Sequence, residues 1–286
     1  MRNLITATAT LVLVCQTYAA PTSVSLNFNG SGSTLAATGF DAAYNLNPTG
    51  FVVGSGVLAM DTLPGDTFGD FENDPDSAQN FFYSDIEPLD QTILETTVNV
   101  SSLNANFHGG GIWMGTDTDH YIRLAAFHNS FEGNIAIEAL RENEDLWVGA
   151  TPPGPGGDIV SRAASIGGAS PQVGSLDLVL RLVRTGNDVE AFFSTDLGAN
   201  FTQVGGDGFI FDRFALPGDP QGNGSNTIEA PATFKVGVYA LGGGVVPAHF
   251  EFDTFSAVST PEPTSFAVLM LGGTLAIRRK TSRRLA

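Results

Sequence analysis

The sequence predicts an all-β domain, a two-sheet antiparallel sandwich, and three observations carry that expectation. Several segments alternate apolar and polar residues with period two, as half-buried strands do. Gly and Pro number 34 and 15 in the 286 residues, and they gather between those segments, where turns belong. No stretch inside the domain sustains the 3.6-residue period of an amphipathic helix.

Taken in chain order, the first candidate strands are Ser23–Phe28, Phe51–Met60, Ile93–Val100, Gly111–Met114, Tyr121–Phe127 and Ile135–Leu140. The clearest follows at Leu176–Arg184, where Leu176, Leu178, Leu180 and Leu182 share one face and Asp177, Val179, Arg181 and Val183 the other. Thr185-Gly186-Asn187-Asp188 then reads as a turn. Val189, Ala191 and Phe193 alternate with Glu190, Phe192 and Ser194, completing a hairpin. Phe234, Val236, Val238 and Ala240 repeat the pattern, as do Phe250 and Phe252 against Glu251 and Asp253. The Pro- and Gly-rich stretches 151–157 and 216–226 read as long loops of one domain, because the piece between them is small for a core of its own. Roughly eleven or twelve short strands fit a single sandwich spanning 20–259.

Charge is unevenly spread. Of 13 Lys and Arg, Arg2, Arg278, Arg279, Lys280, Arg283 and Arg284 lie in the terminal segments, whereas only Glu262 of 30 acidic residues does. The stretch 20–260 therefore carries a net charge of about −22, which argues against a nucleic-acid partner. Two readings of the acid excess stay open: solubility outside the cell, and divalent-cation binding. Cys15 is the only cysteine, so no intramolecular disulfide forms.

Both ends read as addresses. Residues 1–19 place Arg2 before an apolar run and end in small residues, the pattern of a secretory signal peptide cleaved after Ala19. Residues 260–286 carry Pro261-Glu262-Pro263, an apolar run from Ser265 to Ile277, and a basic cluster opening with Arg278 and Arg279. Thirteen residues of helix reach ~20 Å, short of a ~30 Å hydrocarbon core, and the basic cluster holds its end in the cytoplasm. This tail resembles the PEP-CTERM sorting signal. The resemblance implies a recognition motif at Pro261, Glu262 and Pro263, processing by an exosortase-type membrane enzyme, and transient anchoring before delivery to the cell surface or extracellular matrix. Bacteria of the Gram-negative type that make an extracellular polymeric matrix are the setting it implies.

A second resemblance lies between the ends. Gly109-Gly110-Gly111-Ile112-Trp113-Met114, Asp119-His120-Tyr121-Ile122-Arg123-Leu124 and Leu180-Arg181-Leu182-Val183-Arg184-Thr185-Gly186-Asn187 occur in that order. Phe192-Phe193-Ser194-Thr195-Asp196, the stretch Phe201 to Val204 and Phe234-Lys235-Val236-Gly237-Val238 follow. Together they are similar to concanavalin A-like jelly rolls of the laminin-G-like and β-xylosidase C-terminal kind, including DUF1349-type modules. The likeness implies a jelly-roll sandwich over 81–258. Many such domains bind glycans and some hydrolyse them, and fold alone does not choose.

No catalytic motif stands out. Glycoside hydrolysis needs two carboxylates across the scissile bond. The nearest cluster, Glu138, Glu142, Glu144 and Asp145, lacks the Glu-x-Asp-x-x-Glu spacing of jelly-roll glucanases and reads as a solvated strand end. His108, His120, His128 and His249 fall in no zinc spacing. Calcium suits the acid-rich loop bearing Asp66, Asp70, Glu72, Asp74 and Asp76, and the pair Asp117 and Asp119, because that ion takes six to eight oxygens; a hydrated acidic turn is the rival reading. For an extracellular polysaccharide, a flat aromatic that stacks on the C–H face of a sugar is the expected contact. Trp147, Trp113 and Tyr121 are the candidates, although Trp113, inside a strand, suits a core at least as well. The expected function is therefore non-enzymatic: adhesion or glycan contact in a surface or matrix protein. A jelly-roll glycoside hydrolase or polysaccharide lyase, and a purely structural matrix component, are the rivals.

Overall fold

A computed structural model describes residues 20–65, 77–103, 105, 108–118, 120–129, 134–143, 160–169, 175–186, 188–206, 233–242 and 246–261. Residues 1–19, Glu262, Pro263, Arg278, Arg279, Asp66, Asp70, Glu72, Asp74, Asp76, Asp119 and Trp147 lie outside them. Pro261 is described, as the exposed residue that follows the last strand.

Among the described residues, fifteen strands make two antiparallel sheets. In chain order they are β1 (Ser23–Leu26), β2 (Ala42–Tyr44), β3 (Phe51–Gly54), β4 (Val57–Asp61), β5 (Phe81–Ile86), β6 (Gln91–Ser101), β7 (Gly109–Gly115) and β8 (His120–Asn129). The rest are β9 (Asn134–Asn143), β10 (Val160–Ala169), β11 (Ser175–Thr185), β12 (Asp188–Ser194), β13 (Thr202–Gln203), β14 (Phe234–Leu241) and β15 (His249–Thr260). One sheet runs β13-β12-β11-β6-β15-β4-β3, with β1 also paired to β15; the other runs β10-β9-β8-β7-β14-β5-β2. The pairs β6–β15 and β7–β14 bring together strands far apart in the chain, so each sheet closes only when the C-terminal strands arrive. Helix among the described residues is confined to Leu35–Thr38, capped by the Thr34 hydroxyl and by Gly39 in the left-handed region, and a 3-10 turn at Pro48–Gly50.

The alternation read from the sequence sets the core. On β6, Leu94, Val98 and Val100 point inward; Leu178, Leu180 and Leu182 of β11 and Phe250 and Phe252 of β15 join them. From the other sheet Phe82, Ile112, Ile122, Leu124, Ile137, Val236 and Val238 close the layer. Each such fully buried aliphatic or aromatic side chain contributes roughly 1.5–3 kcal/mol. Aromatic rings bridge the two sheets: Phe40 lies 5.2 Å from Phe255, and Phe51 meets Phe82 edge-on at 4.9 Å.

Two local features depart from the expected strands. Phe51–Met60 is a hairpin and not one strand. Ser55 and Gly56 take φ values of 56° and 84°, the doubly positive turn that matches strand twist. The last strand extends well beyond the expected Phe250–Asp253. Its register shifts between Phe252 and Thr254, and this bulge moves the inward positions from Phe250 and Phe252 to Phe255 and Ala257. The period-two rule stops at Asp253 while the strand continues.

Candidate functional site

Strand alternation gives the seven-stranded sheet a second face, and that face carries a separate apolar cluster. Residues that neighbour the core set by one position point the opposite way: Phe81, Trp113, Tyr121, Ala125, Leu140, Tyr239 and Leu241 pack together, with Tyr44 and Tyr83 partly buried against them. Register lines Tyr83, Gly237, Trp113, Arg123 and Leu140 in one row across β5, β14, β7, β8 and β9. Gly237 is the hinge of that row. With no side chain there, the Trp113 indole reaches across β14 and its Nε1–H donates to the Phe82 carbonyl at 3.0 Å. A Cβ at 237 would collide with that same carbonyl oxygen and lie 2.9 Å from Tyr83 Cα.

Trp113 and Tyr121, expected as open platforms for sugar, are 0% and 1% exposed. Phe81 packs 4.6 Å from the Trp113 ring and 6.1 Å from Tyr121, so neither candidate presents a face to solvent. Alternation in sequence distinguishes the two sides of a strand but carries no information on whether the outward side is itself covered.

Polar groups are embedded in this cluster. Arg123, with its side chain 5% exposed, approaches the Glu138 carboxylate at 3.5 Å and stands 5.8 Å from the centre of the Tyr239 ring. The Tyr239 hydroxyl is buried and has no hydrogen-bond partner among the described residues, and burial pushes the phenol up, against the pull of Arg123. Glu138 is thus a mid-strand, ion-paired group and not the solvated strand end expected from sequence. Glu142, on the same strand, stands opposite Tyr121 in the register; Glu144 and Asp145 lie outside the described residues.

At the β2 edge the face opens. Tyr44 and Tyr83 are half-buried, with ring centres 5.0 Å apart, and Trp113 backs them at 6.3 and 6.1 Å. Lys235 Nζ sits 5.3 Å from the centre of the Tyr83 ring and 3.9 Å from Asp85 Oδ1. Burial raises the Tyr83 phenol, and the carboxylates of Asp85 and Asp41 raise it further. Sequence reading passed over Tyr44 and Tyr83, although Phe81–Ile86 alternates in burial like the other strands once its first residue is set aside.

Of the residues expected to hold a cation, Asp117 alone lies among the described residues. Asp117 is partly exposed and accepts from the Thr116 hydroxyl at 3.2 Å. Among the described residues no three His, Cys, Asp or Glu side chains converge to hold a metal ion. None of the helices among them is long and apolar enough to cross a membrane.

No family model matches the sequence, and no curated protein does. Solved structures do. The GH43 protein BlXynB from Bacillus licheniformis superposes with a TM-score of 0.55 at 15% identity, over 76% of this chain and 36% of that one. Xylan beta-1,4-xylosidase from Bacillus halodurans gives 0.50 at 16%, over 74% and 35%. A functionally unknown protein from Saccharomyces cerevisiae gives 0.50 at 14%, over 84% and 98%. The chain spans about a third of the length of BlXynB and of the xylosidase, 36% and 35%, and nearly the whole of the yeast protein. At these identities the likeness shows the two-sheet sandwich.

Proposed function

We propose that the chain is an exported surface or matrix protein whose sandwich holds glycan without cleaving it. Residues 1–19 direct export, and the tail with Pro261, Glu262 and Pro263 passes the protein to an exosortase-type processing enzyme. An extracellular polysaccharide is the partner of the folded part. The observation that carries the non-catalytic reading is the separation of two carboxylates, Glu138 and Asp85. Glu138 on β9 is tied to Arg123, and Asp85 on β5 lies four strands away, ~19 Å at ~4.8 Å per strand. A glycosidase pair stands ~5–9.5 Å apart.

The strongly acidic domain fits life outside the cell, and its fold occurs in carbohydrate-active proteins such as the GH43 and xylosidase structures. Those same structures favour the second reading, a glycoside hydrolase. One tube separates the two: full-length protein incubated with an insoluble neutral polysaccharide, then assayed for retention in the pellet and for new reducing ends. Retention without reducing ends supports the proposal. Reducing ends abolished by Glu138→Gln or Glu142→Gln would replace it with hydrolysis, and folded protein left in the supernatant would leave a structural matrix component. Routing has its own test: the mass of protein recovered from the cell surface should lack residues 1–19 and the segment beyond the Pro-Glu-Pro triplet.

A further inference from the structure

We propose that Tyr44, Tyr83, Asp85 and Lys235 form a subsite for a short run of neutral saccharide, at the β2 edge of the seven-stranded sheet. The inference rests on the glycan-binding reading above and gives it a place that the sequence did not. The first support is the gradient of burial. Phe81 and Trp113 are 0% exposed, whereas Tyr44 and Tyr83, packed on them, are only partly buried. Among the described residues β2 is the last strand of this sheet. The rings are held by Trp113 from behind, so stacking a pyranose on them freezes little that is not already fixed.

The second support is polar. Lys235 offers donors and Asp85 acceptors 3.9 Å apart, the pairing that vicinal sugar hydroxyls bridge. Asp85 Oδ1 is shielded from solvent and has no hydrogen-bond partner, although the side chain as a whole is 49% exposed. An arriving hydroxyl reaches the exposed part of the carboxylate, beside the Lys235 ammonium.

Geometry and charge narrow the ligand. Tyr44 stands opposite Phe81, and Asp85 lies four residues further along the same face of β5, ~13 Å away. A single pyranose does not span that distance, so the site takes consecutive rings. Asp41 and Asp85 flank Tyr83, and 20–260 carries about −22, so uronate or sulfated chains are repelled while neutral ones are not.

The test is a tryptophan-fluorescence titration of the full-length protein with xylohexaose, xylose and a hexagalacturonate. Xylohexaose should bind, xylose at least about tenfold more weakly, and the hexagalacturonate not at all; each tenfold is about 1.4 kcal/mol. Tyr44→Ala and Asp85→Ala should each weaken xylohexaose about tenfold or more, while Tyr83→Phe, which keeps the ring, changes it little. Asp85→Ala, at a half-exposed position, carries the test if Tyr44→Ala fails to fold. Unchanged binding in both alanine variants would overturn the subsite and leave glycan binding standing. Tighter binding of the hexagalacturonate would overturn the neutral ligand. If the wild type binds none of these and no other neutral hexamer, the underlying reading falls and the subsite with it.

Discussion

Replacing Gly237 with Ala tests the organisation of the second face. The added Cβ would collide with the Phe82 carbonyl and come within 2.8 Å of its carbon and 2.9 Å of Tyr83 Cα. These are backbone atoms of the neighbouring strand, so relief requires β5 and β14 to separate or the carbonyl to turn. Overpacking of this kind costs about 1–3 kcal/mol. Turning the carbonyl also strands the Trp113 indole N–H, which donates to it at 3.0 Å from a fully buried ring. A buried donor left unsatisfied adds about 1–3 kcal/mol. The sum, about 2–6 kcal/mol, is a large share of a domain's stability. Urea unfolding followed by tryptophan emission reads it as a lower midpoint, with a shift in the native spectrum from Trp113. Gly54→Ala is the control, because nothing lies within 4 Å of a Cβ there and its φ is not positive. A Gly237→Ala midpoint within about 0.5 kcal/mol of that control would refute the argument.

Two further predictions concern buried charge. Glu138→Leu leaves the Arg123 guanidinium buried without its carboxylate and should cost about 3 kcal/mol, while adding Arg123→Met should recover most of it; strictly additive losses in a double-mutant cycle would contradict the coupling. His108 is fully buried, with burial lowering its pKa and His128 lowering it further, so the unfolded chain takes up a proton that the folded one refuses. Stability is then complete above the ordinary value of 6.5 and declines as pH falls below it, and urea midpoints across that window should show a slope that His108→Leu reduces.

How much was legible in the sequence follows from what period two encodes. It located β11 and β12 and their turn, the core face of Phe234–Ala240 and the strand at Ile93–Val100, because apolar residues recur there at alternate positions. It passed over β5, whose Phe81 and Phe82 are both buried, one on each face of the sheet. It also joined β3 to β4, since Ser55 and Gly56 supply a turn without a polar cluster. The site was less legible for a related reason. Alternation says which side of a strand a residue takes; that the outer side, where Trp113 and Tyr121 lie, is also buried depends on packing over the sheet. Arg123 and Glu138 sit on the neighbouring strands β8 and β9, whereas the Tyr44–Tyr83 edge joins β2 to β5, and only the pairing order β9-β8-β7-β14-β5-β2 brings the two groups onto one surface.

The most direct test of a glycan-holding sandwich is a glycan array probed with the full-length protein, once in calcium and once in EDTA. Binding to neutral glycans with the same pattern in both is the predicted result, since Tyr44, Tyr83, Lys235 and Asp85 need no ion. A blank array from protein whose unfolding transition is intact would contradict the account, and hits that vanish in EDTA would move the site to the acidic loops.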